Sequence, residues 1–146
     1  MTNFVLDASV AAKWMLPAKN EPLKAEAYRV LDGYAASEFG LLVPDVFWAE
    51  CGNILWKAVR QDRLSRADAE LALTAMLRRG FPTFPTSRLL PEAFPIAFNY
   101  GCAVYDCLYV ALAVHSETQL ITADERLTSA MSARMPVKWL GVFSAL

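Results

Sequence analysis

The chain has 146 residues, 55% of them hydrophobic, and a net charge of −1, which is the size of one domain with a single buried core. With no lysine-arginine block, it is not built to grip nucleic acid by broad phosphate neutralisation, although clustered acids at a nuclease site would mask a modest basic rim. No apolar run approaches the roughly 18 residues that cross a bilayer, and the N-terminal stretch carries Asp7 and Lys13 with no basic leader, so no membrane and a cytoplasmic location are expected.

Asn3 to Asp7 reads as a short buried parallel strand ending in an acid, and Ala8 to Leu16 as a helix closed by Pro17. Taken alone, Asp7 is most simply a cap for that helix, accepting from the amides of Ser9 or Val10. Glu21 to Glu38 reads as a second helix with Pro22 in its first turn, Leu41 to Val43 as a brief strand, and Pro44-Asp45 as the opening of a third helix reaching about Arg60. On that third helix, 3.6-residue spacing places Val46, Glu50, Asn53 and Lys57 on one stripe beside an apolar one. Glu50 and Asn53 therefore point the same way. Trp48 and Trp56 lie elsewhere on the helix, where they suit either core packing or a partner.

Ser65 caps a fourth helix, which Gly80 stops. Phe81 to Thr86 reads as the third strand, confined by Pro82 and Pro85 to an edge or a short piece. Leu89 to Tyr100 reads as helical, with Pro95 kinking it or marking a later start. The next helix, Val104 to His115, has Asp106 in its first turn, where the helix dipole alone would welcome an acid. Leu120 to Asp124 is a fourth strand with another acid at its end, followed by a helix over Leu127 to Met131. Thr122 and Glu125 spell a capping box before it. Pro136 to Leu140 is the last edge strand.

This alternation of short apolar strands with helices predicts an α/β fold: a three-layer α/β/α sandwich around a mainly parallel sheet of roughly five strands. Ligands of such sheets bind beyond the carboxyl ends of the strands. Asp7, Asp106 and Asp124 all fall there, with Glu50 about a turn into the helix after the second strand. Four acids on one rim repel one another unless cations compensate, and hard carboxylate oxygens suit Mg²⁺ or Mn²⁺. Such ions activate water for phosphoester cleavage and need no histidine. Cys51, Cys102 and Cys107 lack CxxC spacing, read as free thiols, and with one histidine make no zinc site. P-loop, dinucleotide and serine-hydrolase motifs are absent.

At Val5-Leu6-Asp7-Ala8-Ser9, Val43-Pro44-Asp45 continuing to Ala49-Glu50 and Asn53, Tyr105-Asp106-Cys107-Leu108-Tyr109, and Thr122-Ala123-Asp124, the chain resembles the PIN domain, specifically the VapC-type toxins of toxin-antitoxin pairs. The resemblance runs from Phe4 to about Trp139. It implies a Mg²⁺- or Mn²⁺-dependent endoribonuclease acting on RNA, usually a homodimer, silenced by a small VapB-type antitoxin whose C-terminal segment occupies a groove near the active site. Contact with DNA would be indirect, through the antitoxin. Position by position, Asp7, Glu50, Asp106 and Asp124 match the family's acidic quartet, with Asp7 and Asp106 as the foremost metal ligands. Ser9, Asn53 and Thr122 match polar positions that orient water or the carboxylates. Pro95 and Cys107 depart from the pattern without removing a ligand. Lys13, Lys57, Arg60 and Arg126 are the basic side chains available to RNA.

A competing reading is a non-catalytic PIN-like module that joins an antitoxin in a DNA-binding repressor complex. A phosphoaspartate enzyme fits less well, because Ser9 stands where a dehalogenase-like enzyme would carry a second acid.

Overall fold

The computed structural model describes residues 2–143. Its centre is β1 (Asn3–Leu6), with Val5 and Leu6 wholly excluded from solvent. Around it the other strands, β2 (Gly40–Pro44), β3 (Thr83–Phe84), β4 (Leu120–Thr122) and β5 (Val137–Trp139), form one sheet in the order β3-β2-β1-β4-β5. Every pairing is parallel, with Phe4 opposite Leu41 and Leu6 opposite Ile121. Parallel strands need covered crossovers, and among the described residues seven α-helices supply them: α1 (Ala8–Met15), α2 (Lys24–Ala35), α3 (Val46–Arg60), α4 (Arg66–Arg78), α5 (Thr86–Tyr100), α6 (Val104–His115) and α7 (Glu125–Met131). The result is the expected three-layer α/β/α sandwich.

One group of helices is formed by α1, α3 and α4 packing on one another, while α5 packs on α6 and α6 lies against β1, β2 and β4. From Cys107 to Ala113 every residue of α6 is buried. A helix apolar on all sides belongs in a core, and this one carries Asp106 just before the buried run. Among the described residues no single helix is long and apolar enough to cross a membrane; α5 and α6 pass by composition only when taken together, and they meet at a bend of 117°.

Several local expectations shift. The second helix begins at Lys24 rather than Glu21, because Asn20 and Leu23 take left-handed backbone angles and the segment before it is drawn onto α1. There, Lys24 donates to the carbonyls of Lys13 and Leu16, which α1 leaves open at its end. The same helix stops at Ala35, short of Glu38. The fifth helix starts earlier than Leu89, at Thr86, and runs through both Pro91 and Pro95. Both prolines are exposed, while Leu89, Ala93 and Ile96 bury the opposite face and offset the backbone hydrogen bonds that proline cannot make. Trp48 is partly buried and packs against the core: it stacks on Phe81 and donates to Thr83. Trp56 is left more than half exposed, under the Arg60 guanidinium.

Candidate active site

All four acids stand at the carboxyl edge of the sheet, each delivered by a different element. Asp7 directly follows β1 and is the N-cap residue of α1; Glu50 sits in the second turn of α3, after β2; Asp106 lies in the first turn of α6; Asp124 follows β4 and caps α7. A parallel sheet points these junctions in one direction, which is why residues 117 positions apart in sequence, from Asp7 to Asp124, share one rim.

Asp7 is the buried member, and its side chain makes no helix-cap hydrogen bond. Two hydroxyls converge on its Oδ2: Thr122 Oγ1 donates at 2.6 Å and Ser9 Oγ at 2.8 Å. The hydroxyls are themselves held, since Ala123 N donates to Ser9 Oγ at 3.0 Å and Asp124 N to Thr122 Oγ1 at 3.0 Å. Each oxygen thus accepts from the backbone of the β4–α7 turn and passes its own proton to Asp7. One carboxylate oxygen is saturated by this chain, Oδ1 carries no side-chain hydrogen bond among the described residues, and the backbone amide of Ser9 also draws on the carboxylate.

Thr122 therefore does not form the capping box with Glu125. Its hydroxyl is committed to Asp7, and Asp124 caps α7 instead, Oδ1 accepting from Arg126 N at 2.9 Å and Leu127 N at 3.2 Å. Asn53 is exposed and its side chain makes no hydrogen bond among the described residues. Of the three polar positions, Ser9 and Thr122 join the site and Asn53 stands at its margin.

The carboxyl groups lie in one another's field. Burial pushes Asp7 above the ordinary carboxylate range against the pull of its two hydroxyl donors, and Asp124 adds to the rise. Burial, followed by the charges of Asp7 and Asp106, lifts Glu50 to about 7 even though it accepts a hydrogen bond from Tyr109. Asp106 is lifted to about 6 by burial and then by Asp7 and Asp124. Among the described residues no lysine or arginine forms an ion pair with any of the four. Such a cluster holds protons or takes up a cation from solution.

The donor set fits Mg²⁺ or Mn²⁺ in kind: hard oxygens, with Cys51 and Cys107 held protonated by burial, at about 12 and about 11. Among the described residues, no three His, Cys, Asp or Glu side chains are already gathered into a group able to hold an ion. A cavity of about 380 Å³ opens beside Asp106 and Asp124, walled by Tyr100, Cys102, Arg126 and Leu127. Arg126 is the basic side chain at this opening. Lys13, read from sequence as available to RNA, is buried and paired with Glu21 at 3.0 Å.

One participant escaped the sequence reading. Tyr109, fully buried on α6, donates to Glu50 Oε1 at 2.9 Å. Burial pushes its phenol well above the ordinary range, with Asp7 and Glu50 adding to the rise, so it remains a donor. The available signal was a hydroxyl-bearing residue in an otherwise apolar helix, three places after Asp106.

A parallel five-stranded sheet with acids at the carboxyl ends of its strands defines a class, and the PIN domain model matches residues 4–131. The chain belongs to the PIN domain family. By sequence it is similar to ribonuclease VapC3 of Pyrobaculum aerophilum, 30% identical over 131 residues covering 88% of this chain and 95% of the relative. It is also similar to ribonuclease VapC9 of Mycobacterium tuberculosis, 33% identical over 97 residues covering 66% and 75%. The fold is shared with PAE2754 from Pyrobaculum aerophilum, at a TM-score of 0.69 and 24% identity over 96% of this chain and 85% of that one. It is shared too with VapBC2 from Rickettsia felis, whose structure was solved bound to a promoter DNA fragment, at a TM-score of 0.64 and 12% identity over 94% and 98%.

Proposed function

We propose that this protein is a metal-dependent endoribonuclease, the toxin of a toxin-antitoxin pair, with Asp7, Glu50, Asp106 and Asp124 holding Mg²⁺ or Mn²⁺. The observation that carries the reading is a rim of mutually repelling carboxylates that the chain leaves without a cation. The ribonuclease names of the sequence relatives support RNA as substrate. A VapB-type antitoxin as partner is supported by the VapBC neighbour, and a homodimer by the family resemblance.

When bound, the ion supplies an activated water and stabilises charge on the leaving oxygen of an in-line displacement. The chain's own residues prepare that chemistry. Ser9 and Thr122 fix Asp7 through Oδ2, so that Oδ1 would be the oxygen available to an ion. Fixing a ligand through its second oxygen in this way commonly matters 10- to 100-fold in metal affinity or activity, as an order of magnitude. Glu50 and Asp106, both half-buried, would hold the ion together with Asp7 and Asp124. Arg126, beside the cavity, is placed to meet a phosphate of the strand being cut.

The test is incubation of a total RNA pool with antitoxin-free protein, with Mg²⁺ or Mn²⁺ against chelator, and with Asp106→Asn in parallel to expose contaminating nuclease. Discrete fragments that require both the metal and Asp106 are expected. In cells, Asp7→Asn should fold and relieve the growth arrest caused by expression without antitoxin. Folded, metal-binding protein that cuts nothing in any arm, or arrest that persists in the folded variant, would overturn the reading in favour of a non-catalytic antitoxin-binding module.

A further inference from the structure

A tyrosine in a close-packed helix invites the question of why phenylalanine does not stand there. Tyr109 has no solvent exposure, and its neighbours on α6 from Cys107 to Ala113 are all buried. Phenylalanine would fill almost the same space without burying a hydroxyl, whose removal from water is unfavourable unless a partner is found. The partner is Glu50 Oε1, at 2.9 Å, on another helix and 59 positions away in sequence.

Seen from Glu50, the contact is a constraint on a mobile group. Glutamate has three rotatable side-chain bonds, and ordering such a side chain costs up to about 2 kcal/mol of rotamer entropy. Glu50 is half-buried, and its other oxygen, Oε2, makes no hydrogen bond among the described residues. The phenol occupies one oxygen and leaves one free. Tyr109 also stands three residues after Asp106, so successive turns of one rigid helix carry a rim acid and the tether of another. Asp7 is arranged on the same plan, with Oδ2 saturated by hydroxyls and Oδ1 open.

We propose that Tyr109 is a positioning residue: by donating to Oε1 it holds Glu50 toward Asp7 and Asp106 with Oε2 presented to a divalent cation. This assignment rests on the metal-site reading above and adds to it a residue that touches neither ion nor RNA. The geometry makes Tyr109 act only through Glu50.

The experiment is a double-mutant cycle read by Mn²⁺ affinity, by calorimetry or electron paramagnetic resonance, on the full chain as wild type, Tyr109→Phe, Glu50→Ala and the double variant. Tyr109→Phe keeps the ring and should keep the fold, checked by circular dichroism and melting. It is expected to weaken Mn²⁺ binding on the order of 10-fold, with RNA cleavage recovering at saturating Mn²⁺. In the Glu50→Ala background the same substitution should change Mn²⁺ affinity by nothing measurable. Folded Tyr109→Phe that binds Mn²⁺ like wild type, an equal loss in both backgrounds, or a wild type that binds no Mn²⁺ would overturn the proposal. Should Tyr109→Phe fail to fold, Tyr109→Met in the same cycle carries the same two outcomes. Because the readout is binding, wild type that binds Mn²⁺ yet cuts no RNA would refute the nuclease reading alone and leave the cycle to decide Tyr109.

Discussion

Among the described residues, carboxylates are drawn wholly or partly out of solvent beside α1 and at the sheet's carboxyl edge, and the chain treats the two places in opposite ways. At the end of α1, Glu21 lies between Lys13 Nζ and an Arg63 guanidinium nitrogen, each 3.0 Å from one of its oxygens. Burial alone would push that carboxyl up, but the hydrogen bonds and charges of Arg63 and Lys13 outweigh it and hold it below the ordinary range. At the sheet's carboxyl edge Asp7, Glu50 and Asp106 receive neutral donors at most, hydroxyls and one backbone amide, and all shift upward. The fold can bring cations to a buried acid, since it does so for Glu21. Where it withholds them, the proposed function has the compensating charge come from solution.

The contrast can be broken from either side. The largest effect is expected from Glu21→Ala, which leaves Lys13 buried without its partner; stability should fall by about 3 kcal/mol, measured by urea unfolding, while Mn²⁺ affinity of the folded protein stays at the wild-type value. Loss of Mn²⁺ binding in that variant would mean the two acid sites are one system. Next comes Thr122→Val, which keeps the side chain's shape and removes both the proton given to Asp7 and the acceptor for Asp124 N. Mn²⁺ affinity and cleavage should drop on the order of 10-fold or more, and a folded variant with unchanged affinity would show that the hydroxyl does not orient Asp7. The smallest effect belongs to Arg126→Ala, at the exposed wall of the cavity. Cleavage should show a rise in KM of a few fold, on the order expected for one exposed phosphate contact, at unchanged kcat and unchanged Mn²⁺ affinity.

How much of this could be read from the chain depends on the range of the contact involved. The acids at strand ends were legible because an apolar run fixes the strand and the next polar residue marks its end; Asp7 and Asp124 both follow that pattern. Ser65 was legible as a cap because its partner, Asp68 N, is three residues away, and β3 as an edge because prolines bracket it. Local spacing made Thr122 half of a capping box, because its winning partner, Asp7, lies 115 positions earlier, and the family resemblance alone marked it as a site residue. Lys13 looked like a surface cation until Glu21 and the left-handed turn at Asn20 folded over it. Tyr109 was hidden for the same reason: its hydroxyl stands out in an apolar helix, but its partner, Glu50, lies 59 positions earlier on another helix.

If the rim, which no lysine or arginine pairs among the described residues, takes its cation from solution, melting temperature against pH, with and without Mn²⁺, shows it most directly. In the metal-free protein the folded values of Glu50 and Asp106, about 7 and about 6, lie above those of the unfolded chain. The unfolded chain therefore loses these protons first, and this contribution to stability is fully present below the ordinary carboxylate range and is lost as pH rises through about 7. On the proposed reading Mn²⁺ binds the deprotonated rim of the folded state, so it should raise the melting temperature most at about pH 8, less as pH falls through about 6, and not at all in Asp7→Asn. A melting temperature that ignores Mn²⁺ throughout this range, or an equal rise in Asp7→Asn, would contradict the account.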